Sequence, residues 1–123
     1  MMAEGLILNY ISRCPGPYFR QLSKELSVPV GTLDYYITKL LRGERIFRLG
    51  QRPRYFAREV TPEEAVAIYV LREGAAGVRE FPEVKCGRRL CQLYRDLMVA
   101  ALDKYPCLRR DVVDNFIALM SLL

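Results

Sequence analysis

Apolar residues recur at intervals of three and four through the first third of the chain, the spacing that lines one face of an α-helix. Leu6, Ile7, Tyr10 and Ile11 predict a helix over residues 3–13. It stops at Cys14-Pro15-Gly16-Pro17, which no helix can cross. Phe19, Leu22 and Leu26 continue the period and predict a second helix over residues 18–26. After a short break at Ser27-Val28-Pro29, a third helix is predicted over residues 30–42. It buries Leu33, Tyr36 or Ile37, and Leu40, and Gly43 marks its end.

The period then changes. Ile46-Phe47-Arg48-Leu49 and Arg54-Tyr55-Phe56-Ala57 are short runs of β-formers around a Gly50-Gln51-Arg52-Pro53 loop, which predicts a two-stranded hairpin. Thr61-Pro62-Glu63-Glu64 then starts a helix, with Thr61 as cap, Pro62 at the first helical position and Glu64 completing a capping box. That helix is expected to end near Glu73, at a Gly74-Ala75-Ala76-Gly77 break. Two more helices are predicted over residues 87–104 and 108–122, separated by Pro106. The expected class is mainly α with a small β-hairpin. Three helices closed by a hairpin make a winged helix-turn-helix over residues 1–60, followed by a helical dimerisation extension over residues 61–123.

Charge sharpens this division. Residues 1–60 hold ten Lys/Arg against five Asp/Glu, and residues 61–123 hold nine of each, so the whole net charge of +5 belongs to the first half. Arg42, Arg45, Arg48, Arg52, Arg54 and Arg58 face only Glu44 in one short stretch. Such asymmetry points to a localised anionic partner; a solvated basic surface is the alternative. There is no histidine, which removes the commonest general base, the commonest zinc ligand and every Ser/His or Cys/His nucleophile pair. Cys14, Cys86, Cys91 and Cys107 lack the two-residue spacing of a zinc knuckle or redox pair. Buried free thiols are the expectation, with a disulfide as the alternative only in a hyperthermophile, where intracellular bridges occur; no metal or cofactor is expected. The longest apolar runs, residues 65–71 and 116–120, fall far short of a membrane span. The N-terminus has neither a basic region nor a cleavage site for a signal peptide, so a cytoplasmic protein is expected.

The third helix carries the candidate chemistry. With its apolar positions turned inward, Thr32, Asp34, Tyr35, Thr38, Lys39 and Arg42 face out. Thr32 and Thr38 can donate or accept at base edges. Tyr35 can pack a thymine methyl or bond a phosphate, and Lys39 and Arg42 lie where the helix would pass the backbone. Asp34 could accept from a cytosine amino group, or pair with Thr38 or Arg42 in the free protein. The second use is favoured, because carboxylate–cytosine contacts are uncommon. On the hairpin, Arg48, Arg52 and Arg54 are the candidates. Arg52 and Arg54 flank Pro53 at an expected solvent-exposed tip that can enter a minor groove; the alternative is a hairpin charged to stay soluble.

Residues 7–58 resemble the winged-helix regulators common in archaea, related in pattern to the MarR and ArsR groups. The matching residues are Pro15-Gly16, Phe19-Arg20-Gln21-Leu22, Glu25-Leu26, Val28, the run Gly31-Thr32-Leu33-Asp34-Tyr35-Tyr36-Ile37-Thr38-Lys39-Leu40, Ile46, and Arg54-Tyr55-Phe56. The resemblance implies that the third helix reads DNA. Relatives carry histidine where Tyr36 stands. They also have Glu-x-x-Gly-Leu-Ile leading into the hairpin, where this chain has Leu41-Arg42-Gly43-Glu44-Arg45-Ile46, with its glycine one place earlier.

The last helices are more apolar than a surface helix needs. Leu90, Tyr94, Leu97 and Ala101 form one stripe, and Phe116, Ile117 and Met120 lie on a segment with little polar face. These are the candidate dimer contacts; packing within the chain is the alternative. The expectation is a homodimeric transcription regulator that binds double-stranded DNA without chemistry, repression being commoner than activation; no membrane contact is expected, and no small-molecule effector is legible. The rivals are a winged helix used for protein–protein contact in transcription or replication machinery, and a nuclease. For the nuclease, Glu63 and Glu64 read better as a helix cap, and Asp111 and Asp114 as partners of Arg109 and Arg110.

Overall fold

The computed structural model describes residues 2–85, 87 and 89–122. It is mainly helical with one small antiparallel hairpin, and it divides into two compact units, Met1–Val60 and Thr61–Leu123.

The first unit is built from α1 (Met2–Arg13), α2 (Phe19–Leu26), α3 (Val30–Arg42), β1 (Ile46–Leu49) and β2 (Arg54–Ala57). Ile7 and Ile11, one turn apart on α1, meet Leu22 of α2 and Leu33, Ile37 and Leu40 of α3 in a core closed by Val28, Ile46, Tyr55 and Ala57. Tyr36 is only half-buried, which leaves Ile37 as the core residue of that turn. The α2–α3 junction is tight because Ser27 takes a left-handed conformation (φ 51°). This lets the Val28 N–H reach the Ser23 carbonyl while the Ser23 hydroxyl donates to the Val28 carbonyl at 2.7 Å. At the end of α3 the left-handed position falls on Glu44 (φ 56°), while Gly43 has an ordinary φ of −81°. In the hairpin, Arg48 pairs with Tyr55 and Leu49 with Arg54.

The segment between α1 and α2 has a second role. The Gly16 N–H donates to the Tyr55 carbonyl at 2.9 Å, and the Tyr55 N–H donates to the Pro17 carbonyl at 3.1 Å. β2 is therefore held on its outer edge by the Pro-Gly-Pro turn, which explains why all four of its residues are buried.

In the second unit α4 (Pro62–Glu73) is central and packs against α5 (Ala75–Glu80), α6 (Cys91–Lys104) and α7 (Pro106–Leu122). Every residue from Ala65 to Leu71 is buried, so the longest apolar run of the chain becomes a helix covered from several sides. The capping box forms: the Thr61 hydroxyl accepts from the Glu64 N–H at 3.1 Å, and the Thr61 N–H donates to the Glu64 carboxylate at 3.2 Å.

Three boundaries differ from those expected. Residues 75–80 form α5 instead of a break, because the chain needs only Gly74 (φ 65°, ψ −135°) to turn before helix resumes. α6 starts at Cys91, after a short 3₁₀ turn at Pro82–Val84 and a turn, and α7 starts at Pro106 itself, since proline fits the first turn of a helix. Gly77 allows α5 to fold back on α4, for a Cβ there would stand 2.9 Å from the Val70 Cα.

The cysteines also differ. Cys14 in the first unit and Cys91 and Cys107 in the second are disulfide-bonded rather than free thiols. A buried thiol and a half-cystine fill nearly the same apolar volume, so burial patterns do not separate them. Cys86 lies outside the described residues. Among the described residues no helix is long and apolar enough to cross a membrane.

Candidate nucleic-acid interface

The inward turn of Leu33, Ile37 and Leu40 puts the remaining residues of α3 on an outer strip. Gly31, Asp34, Tyr35, Thr38, Lys39 and Arg42 line one concave surface along it, with Thr32 exposed at its first turn. Tyr35 is the most prominent, 63% exposed, and its ring meets Tyr36 edge-on at 5.0 Å between centroids. A large aromatic held this far out on a helix covers no core of its own; its face and hydroxyl are offered to whatever approaches.

Two residues of this strip behave differently from the sequence reading. Among the described residues Asp34 makes no hydrogen bond or ion pair with Thr38 or Arg42, although all three line the same surface; pairs on an exposed helix add little. Its carboxylate remains a solvent-facing acceptor. Lys39, by contrast, is engaged: its Nζ stands 2.9 Å from Glu4 Oε1 of α1. The lysine holds the Glu4 carboxyl below its ordinary range, and Glu4 raises Lys39 in return. Glu4 was not among the residues singled out from sequence. It lies far away along the chain, and only the packing of α1 brings it beside α3.

The hairpin sorts its arginines. Arg48 is exposed on β1, and Arg52 is exposed in the tip loop. Arg54 is not at an exposed tip: it is 5% exposed, its Nη1 donates to the Gly16 carbonyl at 2.6 Å, and its guanidinium lies 3.6 Å from the centroid of the Tyr18 ring. The reason is register. Arg54 opens β2 opposite Leu49, on the edge that the Pro-Gly-Pro turn covers, so it anchors the hairpin from inside. Arg52 stands over the same Tyr18 ring at 5.0 Å. Tyr55 links hairpin and helix electrostatically. Burial pushes its hydroxyl above the usual tyrosine range, Arg48 opposes this and Asp34 adds to it.

The expected dimer residues are divided. Tyr94 and Ala101 are buried, with Cys91 and Met98, on the α6 face of a helix that packs on α4, and so belong to the unit's own core. Leu97, Phe116 and Met120 are half-buried. Leu90 and Ile117 are exposed, as are Leu93, Val99 and Val113, which the stripe reading did not single out as its interface. The heptad-like spacing found a buried face but could not say which helix would cover it.

Comparison with known families, characterised proteins and solved structures returns no match to this chain. Among the described residues no three metal-ligating side chains come together.

Proposed function

We propose that this chain is a sequence-specific double-stranded DNA-binding protein of winged helix-turn-helix type, acting as a homodimeric transcription regulator, with repression as the commoner mode. The observation that carries the reading is the composition of one surface. Thr32, Asp34, Tyr35, Thr38, Lys39 and Arg42 share the outer face of α3, and the adjoining hairpin presents Arg48 and Arg52. Hydroxyls, an amphipathic aromatic ring and cations on one helix suit base edges in a major groove, and guanidinium on an adjacent loop suits a phosphate or a minor-groove acceptor. The net charge of +5 lies wholly in this half of the chain, which supplies the salt-sensitive share of affinity.

Two copies are part of the proposal. Leu93 and Val99 on α6, and Val113 and Ile117 on α7, leave apolar surface exposed, Ile117 by 61%. A two-fold pair would cover it and present two α3 helices to successive grooves.

The test is a salt titration of binding to duplex DNA, with light scattering of the same preparation. If four to six phosphates are neutralised per subunit, a dimer gives a log–log slope on the order of −7 to −11. A salt-independent response removes the DNA reading. A mass at the 14.2 kDa of one chain, in place of about twice that, removes the dimer.

A further inference from the structure

We propose that Tyr18 is the positioning residue for Arg52, holding its guanidinium ready for an anionic backbone. The inference deepens the duplex-binding reading and rests on it. Tyr18 occupies the N-cap of α2, in an extended conformation (φ −79°, ψ 161°), yet its side chain makes no cap hydrogen bond. Ser, Thr, Asp or Asn at that position would satisfy a free N–H of the first turn. This chain has an aromatic ring there instead, and the ring carries two guanidinium groups: Arg54 at 3.6 Å and Arg52 at 5.0 Å from its centroid.

The two cations are not equivalent. Arg54 is buried and donates to the Gly16 carbonyl, and the adjoining backbone is fixed by the Gly16–Tyr55 and Tyr55–Pro17 hydrogen bonds. The ring is thus held against a guanidinium that is itself fixed in the interior. Arg52 is exposed, in a loop stiffened by Pro53. The ring quadrupole attracts its guanidinium and narrows the rotamers that it would otherwise surrender on docking. Arg54 meanwhile repels it, since both guanidinium groups lie over one ring. An anion arriving at Arg52 relieves that repulsion, so the arrangement favours the occupied state over the free one.

The test compares duplex binding by wild type, Tyr18→Phe and Tyr18→Met, each also in an Arg52→Ala background, over a range of salt. Tyr18→Phe keeps the ring and is expected to bind as wild type. Tyr18→Met keeps the bulk without the ring and is expected to bind about three- to tenfold more weakly, with the salt slope unchanged because no charge is lost. In the Arg52→Ala background the Tyr18→Met loss should vanish, an outcome that a general weakening of the fold would not give. The side-chain Nε–H resonance of Arg52 in the free protein gives a DNA-independent reading: it should shift in Tyr18→Met and not in Tyr18→Phe. Wild-type affinity for Tyr18→Met, an undiminished loss without Arg52, or an unmoved resonance overturns the inference. Failure of wild type to bind any duplex overturns the proposed function itself.

Discussion

Replacing Arg54 with alanine leaves the Gly16 carbonyl without its buried donor and removes a guanidinium from over the Tyr18 ring. The expected cost is about 2–4 kcal/mol of folding stability, most of it from the unsatisfied buried acceptor. Arg52→Ala, in the exposed loop two positions earlier, should stay within about 0.5 kcal/mol. Denaturant melts of the two variants check this, and equal costs would contradict the division of labour between them. Sequence reasoning grouped the two because both flank Pro53; only strand register and the covering Pro-Gly-Pro turn separate a buried anchor from an exposed tip. Glu4 gives a second expectation at this scale. Glu4→Gln releases Lys39 from its ion pair. Binding to duplex should then tighten, with the salt slope steeper by about one unit per subunit. In a Lys39→Gln background the same change should do nothing, which a pair of salt titrations will show.

At the scale of elements, α1, α2, α3 and the hairpin were legible because each carries its own period and its own breaker. Leu33, Ile37 and Leu40 fix which face of α3 is hidden, and so which six residues are offered outward. The candidate surface on α3 followed from that alone. What periodicity could not supply was context. Tyr94 and Ala101 looked like interface because their stripe is apolar, and they are core because α4 lies against α6. Residues 75–80 looked like a break because two glycines bracket them. Gly74 does turn the chain, whereas Gly77 serves close packing on Val70. The α3–β1 junction yields a stability expectation. Glu44 holds a left-handed conformation that costs a residue with a Cβ about 1–2 kcal/mol. Glycine there is expected to stabilise by about 0.5–1 kcal/mol after its own unfolded-state entropy is subtracted, read as a rise in melting temperature for Glu44→Gly.

Across the whole molecule the two units carry different properties. Met1–Val60 has the excess charge and the outward polar strip; Thr61–Leu123 is neutral, with apolar residues left exposed on α6 and α7. Each also contains a tyrosine whose hydroxyl burial raises above the usual value of 10.0, Tyr55 with help from Asp34 and Tyr94 with help from Glu83 and Glu63. A raised value in the folded state means that folding favours the neutral phenol. That contribution is complete below the unfolded value and is lost as pH climbs through the raised one. Melting temperature should therefore fall above about pH 10, and Tyr55→Phe or Tyr94→Phe should flatten the fall. A different kind of consequence follows from Asn115. Its amide donates to the Leu71 and Arg72 carbonyls at 2.9 and 3.2 Å, closing the end of α4 from a helix more than forty positions later. On a ribosome that supplies residues one at a time, the apolar core of the first unit, from Ile7 to Ala57, is complete in sequence once Val60 has emerged. The end of α4 must wait, its carbonyls turned to water, until most of α7 is made. Synthesis thus delivers the core of the basic module well before the apolar module that follows it can close.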